Sequence, residues 1–312
     1  MHLGLILLSG SFLANALPSE SHIMKIPKRR TSTRKSTKNP DPPSIEAEPK
    51  RLAHYAGMAY CSKKTVEDKT CGPCKSISKD VVVGDVVESS LDGHALILVH
   101  HQRKEVIVSV RGLITWENGL NSLKTWKKPI NTFSYQNNVR LAGTSDTQVH
   151  KGFKNTADSI SELLNPKLNR LLSKHSDYRL QLVGHSLGGA VATLLSIGIN
   201  QELRIPYERM NLTTYGQPRV GNAAFAQWFN SLPLAMTRVV NENDPVPHIP
   251  LILNGFHHTK TELYIHNGQS KLCPPPSNSV LEDEGCSGGR TIKFGLDPHL
   301  IAWDVPLHKE SC

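Results

Sequence analysis

Val183-Gly184-His185-Ser186-Leu187-Gly188-Gly189-Ala190 is the stretch on which the reading of this chain turns. It joins an apolar run, residues 180–183, to a helically patterned run, residues 191–199. A serine with glycines two residues away on each side, set between a strand and a helix, suits a nucleophile on a sharp, strained turn. Side chains at the flanking positions would collide, so Gly184 and Gly188 stand there. A helix beginning at the turn aims backbone N–H groups at the place where an oxyanion would form. Ser186 is therefore the candidate nucleophile.

Outward from that turn, residues 81–87, 95–99 and 105–110 are β-rich, with Asp92-Gly93 as a turn signal. Residues 45–60 read as a helix on which Leu52, Tyr55, Ala56 and Tyr60 share a face. Residues 156–174 read as an amphipathic helix, bent or interrupted near Asn165-Pro166. Strands follow at 180–183, 212–215 and 237–241. Strands alternating with helices predict an α/β protein with a central, mostly parallel sheet flanked by helices. Residues 44–312 are enough for a single large domain. Sites in such sheets form beyond the carboxyl ends of strands, and Ser186 and Asp244 both fall there.

The first 43 residues differ in kind. Residues 3–8 and Phe12-Leu13 are apolar, and Ala14-Asn15-Ala16 offers a small-residue cleavage site, so residues 1–16 read as a signal peptide. Residues 17–43 are polar, basic and Pro-containing, and are expected to be a disordered propeptide, cut after Lys28-Arg29-Arg30 or nearer Pro43. Residues 1–43 hold seven Lys/Arg against Glu20 and Asp41, a net +5 out of the formal +9. The positive charge thus belongs mostly to the leader, which argues against a nucleic-acid partner. Nothing beyond residue 20 is apolar for long enough to span a bilayer.

Six cysteines in a secreted chain are expected to pair, with the connectivity open. Cys71-Gly72-Pro73-Cys74 has redox-motif spacing, but Gly-Pro favours a tight structural bridge. No His/Cys/carboxylate grouping has metal-site spacing, so neither metal nor cofactor is inferred. Asn211-Leu212-Thr213 is a glycosylation sequon that abuts an expected buried strand.

Several blocks occur in a fixed order: Tyr60-Cys61, Val110-Arg111-Gly112, Val149 to Phe153, Gly184 to Ala190, Tyr215 to Asn222, Val240 to His248 and Leu296 to Leu300. With them the chain, from about residue 45 to its end, resembles the fungal class 3 lipase family, the secreted triacylglycerol lipases of the Rhizomucor and Rhizopus type. The resemblance implies an α/β-hydrolase fold and a serine carboxylic-ester hydrolase. Its substrate would be lipid at an oil–water interface, contacted transiently by a secreted, extracellular monomer. It also implies the bridges Cys61–Cys312, Cys71–Cys74 and Cys273–Cys286.

Ester hydrolysis by serine needs a base and an acid that holds the base. In this pattern they follow the serine in the order acid, then histidine. Asp244 matches the family's acid. Six histidines follow it: His248, His257, His258, His266, His299 and His308. The resemblance selects His299, although Pro298 separates it from Asp297 where the family sets Asp and His side by side. The oxyanion donors implied are the backbone N–H groups of Leu113 and Leu187. The family often has Ser or Thr where Leu113 stands, so a slower enzyme is expected. Trp116, Leu120, Leu123 and Trp126 fall at helical spacing where the family carries a mobile lid. Competing readings are a feruloyl esterase or phospholipase A1 on the same fold, and a non-catalytic lipid-surface binding homologue.

Overall fold

The computed structural model describes residues 44–114, 147–274, 282, 284–290 and 295–312. The expected leader (1–16 and 17–43) and the expected lid residues Trp116, Leu120, Leu123 and Trp126 lie outside the described residues.

Eight strands form one sheet, numbered here in chain order: β1 Val81–Glu88, β2 His94–His100, β3 Glu105–Val110, β4 Arg179–His185, β5 Met210–Tyr215, β6 Ala235–Asn241, β7 Thr261–His266 and β8 Gln269–Cys273. They lie side by side in that same order. Strands β3, β4, β5, β6 and β7 run parallel to their neighbours in this stretch, while β1, β2 and β8 add antiparallel edges. The helices are α1 Ala47–Met58, α2 Lys63–Glu67, α3 Lys151–Lys174, α4 Leu187–Leu203 and α5 Ala223–Ser231.

The sheet is apolar on both faces, and strand periodicity decides which side chain goes where. Val106, Val108, Leu180 and Leu182 join the core shared with α3 and α4. Ile107, Val183, Leu96 and Leu98 point to the other core, where α1 contributes Leu52, Tyr55 and Ala56. Burial on both sides is why β2 and β3 read as continuous apolar runs rather than alternating ones.

Four sequence expectations change. Helix α1 ends at Met58, and Tyr60 lies beyond it, yet Tyr60 is buried as the face predicted. Helix α3 starts at Lys151, earlier than expected, because the His150 side chain caps it: Nδ1 accepts from the N–H groups of Gly152 and Phe153 at 3.1 and 3.3 Å. Pro166 does not interrupt α3. Its apolar stripe of Phe153, Ala157, Ile160, Leu164, Leu168 and Leu172 continues past the proline into the core, and that burial outweighs a proline cost of about 3 kcal/mol. Strands β7 and β8 are additions to the expected set, and β8 carries only Leu272 and Cys273 as apolar residues.

All three bridges pair as the resemblance implied: Cys61–Cys312, Cys71–Cys74 and Cys273–Cys286. The first fastens the chain after α1 to its last residue, a separation of 251. Among the described residues Glu262, Cys273 and Cys286 gather as a metal site might, but both sulfurs are spent in a disulfide. Asn211 stands in β5 between Gln181 and Ala235 of the neighbouring strands. No helix among the described residues is long and apolar enough to cross a membrane.

Candidate active site

Ser186 stands where β4 ends and α4 begins, at φ 57° and ψ −129°. A residue with a Cβ occupies that region only under strain, and the surroundings must hold it there. Its N–H donates to the Tyr215 carbonyl at 2.8 Å, and its carbonyl accepts from Gly189 N–H at 2.9 Å. Neither flanking glycine has room for a side chain. A Cβ on Gly184 would fall on the Gly188 carbonyl, and one on Gly188 would fall on the carbonyls of Val110 and Arg111. These close approaches seat the start of α4 against the end of β3. Leu187 is the first residue of α4. Gly112, next to Leu113, lies so near that an added Cβ would be 3.0 Å from the Cβ of Ser186.

Asp244 lies in the loop past β6 and is 1% exposed. One carboxylate oxygen, Oδ1, accepts from Val246 N–H at 2.9 Å. The other, Oδ2, is 2.8 Å from His299 Nδ1. An ionised carboxylate can only accept, so Nδ1 carries the proton and Nε2 is left as the basic nitrogen. His299 is also buried, at 1% exposure.

A short 3-10 turn, Asp297–Leu300, presents His299. Pro298 sits in its first turn, where a missing N–H costs nothing, so the inserted residue is absorbed locally. The turn is then clamped by its carbonyls. Asn241 Nδ2 donates to those of Pro298 and Ile301, both at 3.0 Å, and His185 Nε2 donates to that of His299 at 2.8 Å.

Two contacts bring this pair to the serine. Gly216, directly after the residue that holds Ser186 N–H, has φ +54°, and a Cβ there would lie 2.6 Å from both Asp244 Oδ2 and His299 Nδ1. The ring of His185, the residue before Ser186, is centred 4.5 Å from the His299 ring. Ser186, His299 and Asp244 are thus brought to one place, with Leu187 next to Ser186 in the chain and Gly112, the neighbour of Leu113, packed against it.

The remaining candidate histidines go elsewhere. His258 Nε2 donates to the Pro247 carbonyl at 2.8 Å, and burial pushes its pKa well below the ordinary range, keeping it neutral. His266 meets Glu242 at 2.8 Å and His308 meets Glu310 at 3.0 Å. His248 is buried and His257 pairs with Gly221 in a short two-stranded ladder.

Sequence reasoning missed the residues that brace the acid loop. Arg219 donates to the carbonyls of His248 and Pro250 and pairs with Glu282 at 2.6 and 2.7 Å. Arg219 and Asn241 both fall inside blocks that carry the resemblance, but nothing in a block says whether a residue reacts or supports.

Comparison with known proteins places this arrangement. The family model described as lipase (class 3) matches residues 107–254. A secreted mono- and diacylglycerol lipase from Fusarium solani is 30% identical over 261 residues, covering 79% of this chain and 72% of that protein. A lipase from Rhizopus niveus is 27% identical over 267 residues, covering 84% of this chain and 64% of that protein, so the chain spans somewhat under two thirds of this second relative. Among solved structures, one described as a triacylglycerol lipase whose catalytic centre is a serine protease triad superposes with a TM-score of 0.70 at 26% identity, covering 84% of this chain and 95% of that one.

Proposed function

We propose how this chain, which belongs to the class 3 lipase family and is a carboxylic-ester hydrolase with the α/β-hydrolase fold, uses that site: Ser186 is its nucleophile, His299 its base and Asp244 the acid that orients the base. The Ser186 hydroxyl attacks the ester carbonyl while His299 Nε2 takes its proton. Asp244 stabilises the imidazolium that forms. The N–H groups of Leu113 and Leu187 receive the oxyanion. The imidazolium then protonates the departing alcohol, and water releases the acid from the acyl-enzyme by the same steps.

The observation that carries this reading is the buried 2.8 Å contact of His299 Nδ1 with Asp244 Oδ2, beside a serine held at positive φ. It favours an enzyme over a non-catalytic binding homologue, because a surface-binding protein needs neither the strained turn nor the buried imidazole–carboxylate pair. Leu113 brings no side-chain donor, so the oxyanion rests on backbone alone.

For substrate, the reading is the acyl ester of a triacylglycerol at an oil–water interface, met by a secreted chain whose residues 1–16 and 17–43 are a signal peptide and a propeptide. The name of the Fusarium relative supports a second reading, mono- and diacylglycerols.

Labelling tests the chemistry and emulsions test the substrate. An organophosphonate should attach to Ser186, located by peptide mass spectrometry, and His299→Ala should abolish both labelling and turnover. Labelling at another residue would end the proposal. Emulsions of trioleoyl-, dioleoyl- and monooleoylglycerol, run beside a phospholipid and a feruloyl ester, then rank the substrate classes. Inactivity on the trioleoyl emulsion, with activity on the other two acylglycerols, would select the second reading.

A further inference from the structure

The geometry points to Tyr60 and His185 as a positioning couple that sets the oxyanion segment and the base turn relative to each other, an inference that rests on the active-site reading above. At its two ends the couple bonds backbone, the Gly112 N–H and the His299 carbonyl, and so joins one half of the site to the other by hydrogen bonds whose direction the chemistry fixes.

The direction can be worked out from one end. The His299 carbonyl can only accept, so His185 Nε2, 2.8 Å away, carries a proton. His185 is fully buried, and burial first, then the neighbouring His299, hold its pKa well below the ordinary histidine range, so the ring is neutral. A neutral ring with its proton on Nε2 has a lone pair on Nδ1. Tyr60 Oη lies 2.6 Å from that Nδ1 and therefore donates to it. Burial raises the Tyr60 pKa, so the phenol keeps the proton it donates. The same oxygen accepts from Gly112 N–H at 3.1 Å. The chain of bonds thus runs from Gly112 N–H through Tyr60 and His185 to the carbonyl of His299.

Both ends matter to the reaction. Gly112 precedes Leu113, whose N–H is one of the two oxyanion donors, and no side-chain hydroxyl at position 113 can make good an error in backbone position. Gly112 is also a tight fit. A Cβ there would strike Tyr60 Oη and lie 2.8 Å from the His185 carbonyl. The other end fixes the backbone of the residue whose ring must meet Ser186. A donor helps only if it already points at the place where charge develops. The couple supplies that alignment before substrate arrives.

The test uses the full chain, a water-soluble p-nitrophenyl ester, and active-site concentration measured by phosphonate titration. Tyr60→Phe removes a single hydroxyl and should lower kcat per titrated site about tenfold or more, with KM within about twofold. It should weaken a trifluoromethyl ketone, which forms a tetrahedral oxyanion adduct on the serine, by a similar factor. His185→Leu should do the same, and His185→Gln, which keeps an N–H for the His299 carbonyl, should lose less. A merely structural role would lower the melting temperature and the titrated fraction but leave kcat per site and ketone affinity unchanged. That result in Tyr60→Phe alone overturns the inference, even if the His185 variants do not fold. Failure of the unmodified chain to label at Ser186 would refute the active-site reading instead, so the two failures are distinguishable.

Discussion

The two halves of the site are built in opposite ways. The serine half is local: β4, Ser186 and α4 follow one another, and Gly184 and Gly188 allow the turn by having no side chain where backbone already stands. The carboxylate–imidazole half is distant: Asp244 and His299 are 55 residues apart in sequence, and long-range bonds from Asn241, His185 and Arg219 hold the loops that carry them. A local device fails by steric collision, and a distant one fails by losing alignment. Substitutions in the two halves should therefore damage different quantities.

The largest effect is expected in the local half. Gly188→Ala puts a methyl group on the carbonyls of Val110 and Arg111, both backbone atoms that cannot turn away. It should cost about 3 kcal/mol, at the upper end of overpacking costs, and lower the melting temperature by several degrees. A variant that melts with the unmodified protein would show that the strand-to-helix junction is looser than the contacts imply.

In the distant half the damage should fall on turnover. Asn241→Ala releases the carbonyls of Pro298 and Ile301. It should reduce kcat on a soluble ester about tenfold, since misplacing a catalytic group by about 1 Å can cost up to about a hundredfold. Its melting temperature should fall less than that of Gly188→Ala. The opposite pattern, lost stability with kcat retained, would erase the distinction between the halves.

The last effect is seen only on acidification and concerns a group outside both. Burial lowers the His150 pKa to about 4, and its neutral Nδ1 caps α3. An unfolded histidine takes its proton near pH 6.5. Between these values the unfolded chain binds more protons, so this contribution is complete above pH 6.5 and is lost as pH falls toward 4. His150→Asn keeps a capping oxygen that does not titrate. Melting curves at pH 7 and pH 4 should show the variant gaining on the unmodified protein at the lower pH, and a constant difference would remove His150 from the acid sensitivity.

The same contrast explains what could be read from sequence. The Ser186 turn was legible because its requirements are satisfied within one short stretch, residues 180–199: apolar run, two glycines, helical run. Most elements around it were legible from periodicity, with Glu105–Val110 expected at its observed ends. The choice among six histidines was not legible from residues alone and needed the family resemblance. Only the folded chain put His299, rather than His258, beside Asp244. The uninterrupted α3 was missed for a related reason: a proline's local cost is visible in sequence, whereas the burial that offsets it is not.

By itself the sequence determined the fold class, the strand–Ser186–helix turn and the strand ends where chemistry could occur, because strand and helix patterns and glycine requirements are short-range. The tertiary structure alone decided which imidazole meets the carboxylate, how the turn after Pro298 is clamped, and that Tyr60 and His185 connect the two halves. Those outcomes depend on hydrogen bonds between residues up to 125 positions apart. Such bonds form only once the sheet has brought their partners within reach and excluded the water that would otherwise satisfy them.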